Sequence, residues 1–132
     1  MTTLAEFISE HADEFAPFDL GDTNEIAETL KNSTVIGNQH EGFAVVHPGE
    51  AGASLWLLYV PKHLRRRGRG LRLLRAAERV DADHYLSLVC HKNLRRWYGN
   101  KGYRVEGKSG DKREMIGPFE TAAQWAEYRA HT

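Results

Sequence analysis

Residues 55–74, LWLLYVPKHLRRRGRGLRLL, constrain this chain more than any other stretch. Residues 55–60 form an unbroken apolar run that stops at Pro61, the pattern of a strand buried on both faces. A polar loop follows, carrying Arg65, Arg66, Arg67, Gly68, Arg69 and Gly70. Leu71, Leu73, Leu74 and Ala77 then recur at helical spacing, which predicts a helix from Gly70 to about Val80. Strand, glycine-punctuated turn and helix together place a row of backbone N–H groups at a helix N-terminus, where phosphate oxygens are readily held. The arginines add guanidinium groups that grip phosphates bidentately. A polyphosphate ligand is therefore expected. The competing reading is a solvated or nucleic-acid-facing basic run, which the strand and the glycines disfavour. The loop lacks the Lys-Ser/Thr ending of a nucleotide-triphosphatase P-loop, which excludes that class.

The rest of the chain supplies the partners of this unit. Thr3 is an N-cap candidate, with Glu6 completing a capping box, for a helix running to about Phe15 that Pro17 and the segment after it break. Leu4, Phe7, Ile8, Ala12 and Phe15 share one face of it. Asp22 or Thr23 opens a second helix ending near Asn32. Two β-branched runs, 34–37 and 42–47, read as neighbouring antiparallel strands. Beyond the central unit, 85–90 is a strand, and His91 or Asn93 opens a short helix with Trp97 and Tyr98. Gly102 is a left-handed cap, 103–107 and 113–116 form a hairpin, and 121–129 is a terminal helix with Trp125 and Tyr128 facing in. The order predicts one domain over residues 1–132, of mixed α/β (α+β) class.

Charge separates the chain into two halves. The formal net charge is zero, yet residues 1–61 hold ten acids and a single base, Lys31, while the other 17 Lys and Arg lie beyond. Such polarity suits one surface for an anion and another for a cation, although solvated helix faces account for it equally well. Neutral net charge and interleaved acids leave nucleic-acid binding as the weakest class, and none of the seven histidines has metal-ligand spacing. The single cysteine, Cys90, excludes an internal disulfide and a cysteine-built zinc site. No apolar run approaches the roughly 20 residues that span a bilayer. The acidic N-terminal stretch shows no signal peptide, so a cytoplasmic protein with no membrane partner is expected.

The order V-x4-R-x-x-G-x-G, here Val60, Arg65, Gly68 and Gly70, resembles the acetyl-CoA-binding motif of the GNAT superfamily of N-acetyltransferases. A second match lies about thirty residues on, where Tyr98-Gly99-Asn100-Lys101-Gly102-Tyr103 is similar to the family's Y-x-x-K-G-F signature. The resemblance covers residues 55–106 and implies a compact GNAT-like fold. Its central sheet would be mixed but mostly antiparallel, flanked by helices, with a V-shaped splay between two strands. The first strand of that fold has no counterpart here, which would shorten the acceptor side of the sheet.

The resemblance also implies roles. Leu58 and Val60 would offer main-chain groups to the pantetheine arm of acetyl-CoA. Backbone N–H groups of Arg65, Arg66, Arg67, Gly68, Arg69, Gly70 and Leu71 would hold its pyrophosphate, with Arg65, Arg66, Arg69 and Lys101 pairing with phosphates. Asn93 would contact the cofactor, unless His91 takes that place. The implied chemistry is direct acetyl transfer from the thioester to a primary amine, releasing coenzyme A. A backbone N–H near Leu58 would hold the oxyanion, and Tyr98 would be the general acid for the thiolate. Tyr98 as a plain core aromatic is the competing reading.

The strand 55–60 carries no glutamate base, so Glu41, His40, His47 or Glu50, or a water relay, are the remaining candidates. Asp22, Glu25 and Glu28 would attract a cationic acceptor, whether a small molecule or a protein amine. A catalytically silent GNAT-like binding or regulatory module is the alternative to an enzyme. On fold analogy, an edge strand near 113–116 would let two copies pair as a homodimer.

Overall fold

The computed structural model describes residues 2–15 and 19–131. Six strands form one sheet in the order β1-β2-β3-β4-β6-β5. They are β1 (Thr34–Asn38), β2 (Gly42–His47), β3 (Ser54–Tyr59), β4 (Leu86–His91), β5 (Arg104–Ser109) and β6 (Lys112–Gly117). All neighbours pair antiparallel except β3 and β4, which are parallel and joined through a helical crossover. No strand precedes β1 among the described residues, in line with the missing first strand.

The helices are α1 (Leu4–Glu10), α2 (Ala12–Phe15), α3 (Thr23–Lys31), α4 (Arg69–Glu78), α5 (Arg95–Gly99) and α6 (Ala122–Ala130). The Thr3–Glu6 capping box opens α1 as its spacing predicts. The expected single helix is nevertheless two. At His11 the ring stacks on Phe7 with centroids 4.2 Å apart and its Nδ1 lies 2.9 Å from the Phe7 carbonyl. The His11 N–H also donates to the Phe7 and Ile8 carbonyls at 3.1 and 3.3 Å, so His11 caps α1 and α2 begins at Ala12. Pro17 and Phe18, the expected breakers, lie outside the described residues.

Alternation along β2 builds a core on each side of the sheet. Phe43 and Val45 meet Ile8, Leu20 and Ile26 below α1 and α3. Ala44 and Val46 meet Leu74 and Ala77 of α4 together with Leu88, Cys90, Tyr98 and Tyr103. β3 departs from the expectation of burial on both faces. Leu55 and Leu57 are buried, whereas Trp56 and Leu58 are only half-buried. At Trp56 the reason is a β-bulge, since Val45 faces Leu57 and Val46 faces Leu55, which leaves Trp56 without a partner in β2; Leu58 pairs with Ala44 and borders an open groove. Leu71 is likewise exposed at 37%, because it sits at the mouth of the groove beside β3 rather than under α4.

Residues 113–116 are not an edge strand. The hairpin folds β6 inward between β4 and β5, leaving β5 at the edge. Trp125 and Tyr128 of α6 pack around Phe119, and Tyr128 also meets the ring of Tyr85.

Candidate functional site

β3 and β4 pair only at Ser54↔Ser87 and Leu55↔Leu88. The root of this pairing is fixed by the Ser87 N–H donating to the Ala53 carbonyl at 3.2 Å and by a 2.8 Å bond between the Ser54 and Ser87 hydroxyls. Beyond it the strands part, and the middle of the sheet opens as a V. A gap there leaves strand backbone without its usual neighbour, so it is available to an extended ligand. The cleft that results has a volume of about 890 Å³.

Its basic end is built by the loop after β3. A short 3₁₀ turn (Lys62–Leu64) leads to Arg66 at φ 64° and Gly68 at φ 78°, two left-handed residues that turn the chain into α4. For arginine that conformation costs about 1 kcal/mol, whereas glycine adopts it freely. Gly68 is thus needed for its backbone, since a Cβ there would meet nothing within 4 Å. Gly70 is needed for space: a Cβ would sit 3.3 Å from the Trp97 ring. The first N–H groups of α4 have no intrahelical acceptor, and this helix end borders the cleft.

Eleven of the twelve residues expected at the site line the cleft: Leu58, Val60, Arg65, Arg66, Gly68, Arg69, Gly70, Leu71, Asn93, Tyr98 and Lys101. Arg67 does not; it lies exposed on the outer side of the loop turn. Arg65 donates through Nε to the Val60 carbonyl at 2.8 Å, so that carbonyl is already occupied by the loop's own side chain. Arg69 reaches the Glu41 carbonyl at 3.4 Å, and the Lys101 ammonium stands 4.5 Å over the Trp97 ring. Asn93 donates its backbone N–H to His91 Nδ1 at 3.1 Å, and both residues border the cleft.

Tyr98 and Tyr103 divide the roles that the sequence left open. The Tyr103 hydroxyl donates to Glu78 at 2.7 Å, and Glu78 also holds Arg75, whose other nitrogen donates to the Lys101 carbonyl. This network ties α4 to the turn after α5. Tyr103→Phe is expected to lower stability by about 1–2 kcal/mol, read from chemical denaturation, because Glu78 loses a short bond in a half-buried setting.

Tyr98 is 6% exposed and its ring lies edge-on to Trp97 and Tyr103, as a core aromatic would. Its hydroxyl, however, makes no hydrogen bond among the described residues and borders the cleft. Burial holds this phenol well above the usual tyrosine range, and neighbouring Cys90 adds to the effect. It stays protonated at neutral pH. On the same wall, burial pushes the Cys90 thiol up to about 11.

The acidic end was not read from the sequence. Asp13 and Glu14, on α2 against β3, are the only carboxylates lining the cleft among the described residues. The acids expected to draw in a cation lie elsewhere: Asp22 caps α3 by accepting from the Glu25 N–H, and neither they nor Glu28 border the cleft. Of the base candidates, His40, Glu41 and Glu50 are exposed in turns, and His47 lines a separate cavity. Charge asymmetry was the available signal for Asp13 and Glu14, but the packing of α2 on β3 that brings them to the cleft has no pattern in the sequence.

A parallel pair splayed in an otherwise antiparallel sheet, with a glycine-arginine loop at its mouth, is the GNAT fold, which many N-acetyltransferases share. The chain superposes on Ard1 from Thermoplasma volcanium with a TM-score of 0.65 at 16% identity, over 86% of this chain and 89% of that one. It matches the ribosomal-protein-S18-alanine N-acetyltransferase of Escherichia coli at 0.64 and 14% identity, over 92% of each. The PaiA N-acetyltransferase of Thermoplasma acidophilum, solved in complex with coenzyme A, matches at 0.56 and 22% identity over 74% of this chain and 69% of that one. Another match takes in only 64% of the neighbour's chain. The sequence matches no protein-family model and no curated protein. No helix of the described residues is long and apolar enough to cross a membrane.

Proposed function

We propose that this protein binds acetyl-CoA in the cleft and transfers the acetyl group to a cationic primary amine. The observation that carries the proposal is the alignment of three features along one cleft: the α4 N-terminus with Arg65, Arg66 and Arg69, the opened β3 backbone, and the free Tyr98 hydroxyl. The polyphosphate end of the ligand would meet the N–H groups and guanidinium groups. The pantetheine arm would run along the unpaired side of β3, and the thioester would come to rest near Tyr98. A similar fold holding coenzyme A in PaiA supports the choice of ligand.

The chain's own residues then perform defined tasks. The loop anchors the anion, Trp97 and Leu58 exclude water, and Tyr98 keeps a proton for the departing thiolate. Asp13 and Glu14 place negative charge at the opposite end of the cleft, a field that favours a cationic over an anionic acceptor. The basic groups converge on a cleft, and Lys92 pairs with Asp111 at 3.2 Å, which argues against a flat nucleic-acid surface. Incubation with acetyl-CoA and a panel of polyamines, aralkylamines and short peptides should release free thiol with at least one acceptor. Tight acetyl-CoA binding with no thiol release from any of them would instead favour a silent binding module.

A further inference from the structure

The walls formed by Leu55, Trp56, Leu88 and Val89 belong to two cavities at once. One is the large cleft; the other, of about 290 Å³, is lined by His47, Ser54, Ser87, Glu106, Glu114 and Met115 as well. Leu86, Leu88 and Cys90 turn toward α4, so Ser87 and Val89, next to them in β4, point to the opposite side. The second cavity therefore opens on the face away from α4 and meets the cleft where β3 and β4 separate. The bulge at Trp56 makes this junction, since it swings the indole over the cavity beside His47, with ring centroids 5.1 Å apart.

His47 is prepared for one task. The Ser33 hydroxyl donates its only proton to the Thr29 carbonyl at 2.7 Å, so toward His47, also at 2.7 Å, its oxygen must accept. Nδ1 therefore carries the ring proton and Nε2 holds a lone pair. Nε2 has no hydrogen-bond partner among the described residues. We propose that the amine acceptor enters this second cavity and that Nε2 of His47 takes its proton, directly or through one water. The free amine then meets the acetyl donor at the gap between β3 and β4. This rests on the acetyl-transfer reading of the main cleft and deepens it.

The chemistry balances without a further reactant. The ammonium gives one proton to Nε2, and its lone pair forms the N–C bond as the C–S bond breaks. The thiolate takes the Tyr98 proton, and the second proton lost from nitrogen returns to that oxygen. Imidazolium then releases its proton to solvent. Burial lowers the His47 pKa, which keeps the ring neutral and ready to accept. The charged groups lining the cavity are Glu106 on β5 and Glu114 on β6. Ser33 at the end of α3, Trp56 and Ser54 on β3 and Ser87 on β4 are neutral. Two carboxylates and an indole face suit an ammonium at the end of a slender chain. Glu106 is also steadied by the Tyr128 hydroxyl at 2.9 Å.

The test uses phenethylamine, with 2-phenylethanol as its neutral counterpart. In NMR spectra of the protein, the amine should shift the Trp56 indole and His47 ring signals, and the alcohol should not. Shifts confined to residues of the main cleft, or none at millimolar amine, overturn the proposal. In turnover, His47→Asn keeps a donor for Ser33 and removes Nε2. It should lower kcat/KM for the amine about a hundredfold while leaving the KM for acetyl-CoA within about twofold. The wild-type rate should rise with pH through a midpoint below 6.5, and this limb should vanish in the variant. Glu114→Gln should raise only the KM for the amine. An unaltered rate and pH profile in His47→Asn overturns the assignment. Coenzyme A binding by calorimetry is read separately: its absence refutes the cleft reading, whereas the shift of the His47 ring, which borders only the second cavity, reports on that cavity alone.

Discussion

Gly70→Glu should weaken coenzyme A binding by about a hundredfold or more, with thermal stability unchanged or slightly raised. The two effects separate because the residue occupies two environments. As the second residue of α4, it lies in the first turn, where a carboxylate complements the helix dipole by about 0.3–1 kcal/mol. That gain offsets the pressure of a new Cβ 3.3 Å from the Trp97 ring, a side chain that can give by a few tenths of an ångström. Toward a bound pyrophosphate the same carboxylate is a like charge close by, worth up to about 4 kcal/mol at an effective dielectric of 20 before screening. Gly70→Gln, of equal size and no charge, should lose less affinity than the glutamate. Calorimetric titration with coenzyme A and a melting curve for each variant check both halves. Equal affinity in wild type and Gly70→Glu would mean that the phosphates lie elsewhere.

Tyr98→Phe should lower kcat by about a hundredfold and leave coenzyme A affinity and stability nearly unchanged. The stability half follows from the unpartnered hydroxyl, since its removal breaks no bond and the ring keeps its packing. Here it contrasts with Tyr103, where the hydroxyl holds Glu78. The kinetic half follows from burial. A phenol that burial keeps protonated well above the usual tyrosine range holds its proton ready for the departing thiolate. Stopped-flow thiol release on the two phenylalanine variants distinguishes the roles: only Tyr98→Phe should slow the chemistry. An unaffected rate removes Tyr98 from catalysis.

The unit from β3 to α4 was legible in sequence because its signals are local. An apolar run, positive-φ glycine and helical spacing each act within a few residues, and the structure has all three. The twin motifs brought Tyr98 and Lys101 to the same cleft as Arg65 and Gly70 across some thirty residues. What escaped is what depends on tertiary choice. His11 fits a continuous helix by pattern, yet it caps α1, and the separate α2 packs against β3. Arg67 looks like its neighbours in sequence, but the left-handed turn at Arg66 and Gly68 sends it away from the cleft.

Strand order was equally hidden. A hairpin can add to a sheet with either strand inward, and here six consecutive pairs with β4 place β6 inside. The second cavity needs the Trp56 bulge and residues from five strands, from His47 on β2 to Met115 on β6. Sequence marked His47 by position alone. Its neutral ring and bare Nε2 come from Ser33, fourteen residues away, whose own proton is already committed.

The most direct test of the central claim is a crystal structure of the protein with acetyl-CoA. Pyrophosphate density is expected on the N–H groups of residues 65–71, with Arg66 or Arg69 on the phosphates and the thioester between β3 and β4 beside the Tyr98 hydroxyl. Acetyl-CoA bound outside the β3–β4 gap, or absent from crystals grown with it at saturating concentration, would contradict it.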